Sequence, residues 1–228
     1  MMYRLPALLA VSALALLALL AIGSTARAQP SFDCRTAELA VEQAICRSKP
    51  LAKRDRDIAL AYKAAVTRLD PDARTVLRDH QRRFLALRDE AYGADGFDLA
   101  AYLAGRVKEL EAIEAGTRTG FEGLWIVPAG GLEVRANGGG TFEIALATQD
   151  GALGRWVCDF QGLARADGAA LVAPARPDEE MSGWRLRLER SGAALKVSAE
   201  PPPGEAGPEP PFCGRNGTVD LLYLPARR

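Results

Sequence analysis

One histidine, four cysteines and a run of three acids are the side chains whose types could carry chemistry in this sequence. His80 stands alone, which excludes a metal site built on several histidines. A triad would also need a nucleophile, and no Gly-x-Ser-x-Gly turn exists. With charged neighbours on a helical stretch, His80 reads as an exposed surface residue. Cys34, Cys46, Cys158 and Cys213 would be nucleophiles or ligands only if free. An even number in an exported chain reads as two disulfides. Three pairings exist, and nearness in the chain together with the break between its halves favours Cys34–Cys46 and Cys158–Cys213. Asp178-Glu179-Glu180 is a weak candidate for a cation, better read as a solvated loop after Pro177. Gly138-Gly139-Gly140 falls between strand candidates and reads as a turn, with no phosphate-binding loop around it. Asn216-Gly217-Thr218 matches a glycosylation acceptor but fits a hairpin turn better. Asp55 is a carboxylate within an apolar helical stripe. A general acid there would need a second carboxylate or nucleophile in reach, so an arginine partner, Arg88 or Arg106, is the expectation. No catalytic, metal or cofactor assignment follows, and the chain is expected to be non-enzymatic.

The elements that position these residues change character half-way along. Positions 51, 55, 58, 62, 65 and 69 recur at four-three spacing, the mark of one buried helical face. Pro50 suits the first turn of that helix. Asp70-Pro71 starts a third helix running to about Tyr92, with Val76, Leu77, Phe84, Leu85 and Leu87 as its apolar face. Gly93 to Gly96 breaks it, Asp95 or Asp98 caps the fourth helix, and Gly116 ends the helical pattern. Four helical pieces with short links predict an antiparallel bundle. From Phe121 the period becomes two: Phe142, Ile144 and Leu146 face one way, as do Trp156, Cys158 and Phe160, and Trp184, Leu186 and Leu188. Turn pairs such as Asp150-Gly151, Asp167-Gly168 and Ser191-Gly192 punctuate the region. Six to eight short antiparallel strands are expected, as a small barrel or sandwich. EPPPGEAGPEPP, residues 200–211, cannot be a central strand, and Cys213 would pin that loop to the strand of Cys158. The fold class is therefore α+β in two domains, helical over 29–116 and all-β over 117–228.

The first 28 residues read as an export signal: Arg4, an uncharged stretch from Leu5 to Ile22, then Ala26-Arg27-Ala28 before the cut. The apolar run is slightly long, so an uncleaved anchor is the alternative. Cleavage after Ala28 gives a periplasmic or secreted protein with no stable membrane span. It removes Arg4 and Arg27, leaving 27 basic residues against 29 acids, a net charge of −2. That balance gives no electrostatic footprint for nucleic acid or an anionic membrane.

Cys34 and Cys46 would stand about 18 Å apart in one continuous helix, far beyond the ~7 Å that a disulfide spans. If they pair, a helix of roughly two turns ends near Cys46 and an extended lead-in from Cys34 to Glu38 runs back along it. The stretch FDC, then VEQAIC and PLAKRDRDIALAY, followed by Gln81-Arg82-Arg83-Phe84, Arg88-Asp89, Arg106 and Leu110, resembles the LprI-type lysozyme-inhibitor N-terminal family. The resemblance spans residues 31–115. It implies a small helical, cysteine-stapled periplasmic or surface domain, with Asp55, Tyr62, Gln81, Phe84, Arg88, Asp89 and Arg106 as motif positions. Phe84 stands where the family usually has Trp. The second cysteine pair expected after Arg88-Asp89 is absent, with Tyr92 and Phe97 nearby instead. The β half is also similar to bacterial c-type lysozyme inhibitors, whose Ser-Gly-x-x-Tyr loop enters the lysozyme cleft. Here Ser191-Gly192-Ala193-Ala194-Leu195 ends in Leu, so that loop is not expected to carry the function. The expectation is an exported binding protein with lysozyme as the partner implied by the resemblance. The alternative is an envelope module that binds peptidoglycan or a protein through its β half.

Overall fold

The computed structural model describes residues 29–228 apart from 117, 129, 177–182 and 205–208. The export signal and the acidic run Asp178-Glu179-Glu180 lie outside the described residues. Among the described residues four helices precede eight strands. They are α1 (Ala40–Arg47), α2 (Lys49–Arg68), α3 (Pro71–Ala91) and α4 (Leu99–Ala112). Each of the three longer helices starts on a side-chain cap. Ser48 accepts from Leu51 N, Asp70 from Ala73 N and Asp98 from Ala101 N, each cap worth about 1 kcal/mol. Proline follows the cap in α2 and α3, where its missing N–H leaves no bond unmade.

Ahead of α1, Cys34–Thr36 forms a single 3₁₀ turn capped by Asp33, in place of the extended lead-in expected over these residues. The turn brings the Cys34 and Cys46 Cα atoms to 5.8 Å, and the two are disulfide-bonded. In α2 the expected stripe is inward: Asp55, Ile58, Ala65 and Leu69 are buried and Leu51 and Tyr62 half-buried. Ala52, Ala61 and Ala65 on the same helix share a buried cluster with Leu103 and Leu110 of α4, which packs against it. Among the described residues no helix is long and apolar enough to cross a membrane.

The strands are β1 (Gly123–Val127), β2 (Gly130–Ala136), β3 (Thr141–Gln149), β4 (Val157–Asp167), β5 (Ala170–Pro174), β6 (Arg185–Ser191), β7 (Ala194–Glu200) and β8 (Leu221–Ala226). Each pairs antiparallel with the next, and β8 returns to β1, so the sheet closes into a barrel. Closure leaves no edge between first and last strand. Alternate residues point inward, and Trp125, Leu132, Ile144, Leu146, Leu186 and Tyr223 fill the interior with large side chains. An eight-stranded barrel is just wide enough to be filled this way. The segment after the proline-rich loop completes it. Phe212 enters the interior edge-on to Phe160 and Trp184, Asp159 N donates to Phe212 O, and Cys158 is disulfide-bonded to Cys213. Asn216-Gly217 is not a hairpin tip, contrary to expectation. It closes a local turn, with Gly217 N donating to Gly214 O, in the segment leading to β8. Asn216 adopts φ of 64°, a conformation Asn tolerates better than most side chains.

The apolar face of the helices is completed by the outside of the barrel. Ala193, Ala194 and Leu224 are buried in the same cluster as Ile45, Leu77 and Leu103, with Ile126 and Leu222 packed at its edge. The polypeptide leaves α4 directly into a strand-like contact: Ile113 bridges Ala226, and Arg227 N donates to Ala112 O. Arg118 then ties the junction together. Its guanidinium donates to Leu124 O and Ala226 O and pairs with Glu114 at 2.6 Å. Arg118 and Arg190 each lie 4.7 Å from the ring centroid of the buried Trp125, whose Nε1–H donates to Phe121 O.

Candidate functional site

Three of the motif positions, Gln81 and Phe84 on α3 and Arg106 on α4, meet on facing sides of the two helices. Gln81, Phe84 and Arg88 are spaced three and four apart on α3, and Tyr102, Arg106 and Glu109 likewise on α4, so each set lies on one face. Arg106 is 3% exposed. It donates from Nε to Gln81 Oε1 at 3.1 Å, pairs through Nη1 with Glu109 at 2.9 Å, and lies 5.4 Å from the Phe84 ring centre. Phe84 stacks flat on Tyr102, with centroids 4.9 Å apart, and the Tyr102 hydroxyl donates to Phe84 O at 3.2 Å. Burial lowers the Arg106 pKa from its usual value, while Glu109 opposes that shift. Burial also pushes the Tyr102 hydroxyl above the ordinary phenol range. The buried guanidinium is met by a carboxylate, an amide and a ring face and acts as a brace, although its Nη2 is buried without a hydrogen-bond partner. It joins α3 to α4 and presents no nucleophile.

Arg88 does not join that cluster. It is buried and pairs with its neighbour Asp89 at 2.6 Å. Asp55 is buried too, but its partner is neither Arg88 nor Arg106, as expected from the stripe. Its Oδ2 accepts from both the backbone N and the Oγ of Ser31, each at 2.6 Å. The carboxylate ties the lead-in chain down onto α2, a structural role that needs hydrogen-bond donors rather than charge. Arg56, the next residue on α2, donates to Gln29 O. Tyr62 is half-buried on α2 and lies close enough to Arg106 to influence its charge.

His80 corrects the expectation most plainly. It is 8% exposed rather than a surface residue, and its Nε2–H donates to Leu222 O of β8 at 2.8 Å. Burial pushes its pKa down to about 4, with the bond to Leu222 acting in the opposite direction. The spacing held a signal: position 80 falls three and four residues from Leu77, Val76 and Phe84, on the apolar face of α3. A cleft of about 850 Å³ opens beside it, between α3 and strands β7 and β8. Val76, Leu221 and Leu222 give it apolar walls. Asp79 and Arg83 stand on the helix side, Lys196 and Asp220 on the barrel side.

The Ser191-Gly192 hairpin keeps its tip exposed, while Ala193 and Ala194 after it pack in the cluster shared with the helices. Ala193, Ala194 and Leu195 are all buried, and a Cβ on Gly192 would lie 3.5 Å from Asp72 of α3. Arg190 holds the turn by donating to Gly192 O. Among the described residues no group of three His, Cys, Asp or Glu side chains could hold a metal ion. Comparison with protein-family models, with curated proteins and with solved structures gives no match.

Proposed function

We propose that this chain is an exported, non-enzymatic binding protein of the cell envelope, freed of its signal after Ala28, with lysozyme as the partner that the LprI-type resemblance implies. The observation that supports the reading is the filled barrel. With Trp125, Tyr223 and Leu186 occupying its interior, recognition falls to the outer surface of a scaffold braced by two disulfides. A rigid surface binds with little ordering cost. In this reading the helical domain is residues 29–116, an antiparallel bundle docked on a barrel domain of residues 117–228. With Leu195 buried where the inhibitor loop would present Tyr, lysozyme contact in this reading falls to the helices or the cleft beside α3.

The test is cell-wall hydrolysis by animal c-type and goose-type lysozymes, titrated with the oxidised mature protein. Dose-dependent inhibition that reduction abolishes is the expected result. Activity unchanged by a large excess of oxidised protein would overturn lysozyme as the partner. A second reading, contact with peptidoglycan or a protein through the barrel, is favoured by Val157 and Leu163. Both sit on the outer face of β4, 53% and 52% exposed. Retention of the mature protein on isolated cell walls, lost in the Val157→Ser, Leu163→Ser double variant, would select it.

A further inference from the structure

The cleft between α3 and the β7–β8 pair contains one cation with no partner. Arg83 is half-buried in its wall, and among the described residues it makes no hydrogen bond and no ion pair. The other charges around the cleft are already engaged or distant. Asp79 is paired with Arg82. Asp220 accepts from Ala199 N at 2.7 Å. Lys196 has Glu189 only at 3.9 Å. Arg83 on the helix wall and Lys196 on the barrel wall are therefore the cations available to a ligand, beside an Asp220 whose backbone bond leaves its charge in place, above apolar ground made by Val76, Leu221 and Leu222. A half-buried guanidinium without a counter-ion is costly to keep dehydrated, and its planar fork matches a carboxylate in two parallel bonds.

Resting on the reading of the chain as a binding protein, we infer that this cleft receives the C-terminus of a peptide: a terminal carboxylate on Arg83, assisted by Lys196, with an apolar last side chain against Val76 and Leu222. Capture of a chain end by fixed donors is a recurrent recognition mode. A peptide end suits the cleft better than a long acyl chain. The cleft is open, about 850 Å³, and edged by the Ser191 and Ser198 residues that a peptide backbone can bond. His80 forms its inner wall and stays neutral above pH of about 4, so it neither competes for nor repels the carboxylate at neutral pH.

The experiment is calorimetric titration of the oxidised mature protein with acetyl-Ala-Ala-Leu carrying a free carboxylate, and with the same peptide as its C-terminal amide. The acid is expected to bind at least about tenfold more tightly than the amide, since the difference is a charge-assisted bond. Arg83→Gln should remove that preference while leaving the weak amide binding unchanged, and Arg83→Lys should restore part of it. Lys196→Gln, on the barrel side, should weaken the acid by a smaller factor and serves if Arg83→Gln lowers the melting temperature. Equal binding of acid and amide, or an acid preference that survives both charge removals, would overturn the inference. Decanoate binding with the peptide silent would assign the cleft to an acyl chain, and inorganic phosphate displacing the peptide at equal affinity would reduce it to a simple anion site; either overturns the peptide. Lysozyme inhibition by a protein that ignores the peptide would sink this inference alone, leaving the binding-protein reading intact.

Discussion

The imidazole of His80 on α3 and the carbonyl of Leu222 on β8 are 2.8 Å apart, 142 positions distant in the chain, and their bond crosses the seam between helices and barrel. Because the imidazole donates there from a buried position, its protonated form has little solvation.

That geometry predicts a defined acid sensitivity. The His80 pKa is lowered from 6.5 to about 4 on folding, so the unfolded chain takes up the proton first as pH falls. Stability from this residue is fully present above about pH 6.5, declines between 6.5 and 4, and is gone below, a total of about 3 kcal/mol. Urea unfolding at pH 7.5, 5.5 and 4.5 checks it. His80→Gln, which keeps a donor near Leu222 but cannot titrate, should flatten that part of the profile.

The two staples should differ in value. Cys34–Cys46 closes a separation of 12 residues and Cys158–Cys213 one of 55. The chain-entropy model gives about 3 and about 4 kcal/mol respectively. Paired Cys→Ser variants, compared by denaturant midpoint, should rank in that order. The Cys158→Ser, Cys213→Ser variant should also loosen Phe212 from the barrel, visible as increased exchange of the Asp159 amide that it holds through its carbonyl.

Removing the brace between α3 and α4 should be costly. Arg106→Ala removes one hydrogen bond each from Gln81 and Glu109 and the cation from the Phe84 ring, and leaves a void, for an expected loss of about 3 kcal/mol. Arg106→Met retains most of the packing and should lose less, because the aliphatic stem contributes independently of the charge. Thermal melts of the two variants side by side separate packing from pairing.

Residues 117–228 produced alone should not behave as a free-standing barrel. Leu224, Ala193 and Ala194, buried here against the helices, would face water, along with Ile126 and Leu222. Exposed apolar ground of that kind marks an aggregation surface. The fragment should bind a hydrophobic dye and lose its cooperative unfolding transition. A monomeric, cooperatively melting fragment would contradict this packing.

Much of the framework was legible locally. The α2 stripe and the inward set Cys158 and Phe160 follow from periodicities that a short window contains. The Asp70 cap follows from the proline after it, and the pattern narrows the α4 cap to Asp95 or Asp98, of which Asp98 serves. Barrel closure was not, because it rests on Leu124 and Trp125 meeting Ala226 and Pro225 about a hundred residues later. The burial of His80 was missed for a related reason. Its flanking charges, Asp79 and Arg82, described the outer face of α3, whereas its own position belonged to the inner one. Leu221-Leu222-Tyr223-Leu224 carried the clue, since an unbroken apolar run marks a strand covered on both sides. The Asp55 partner lay outside any helical pattern, in Ser31 of the irregular lead-in.

The closing strand is made after every other described helix and strand. Until β8 emerges, β1 and β7 each have an open margin, and α3 has no Leu222 carbonyl for His80 and no Leu224 to cover its apolar side. Neither half can therefore finish before the other, and both wait for residues 221–226. A chain interrupted anywhere upstream of Leu221 carries two faults at once, a gaping sheet and a naked helix face, so copies that lack β8 announce themselves to proteases.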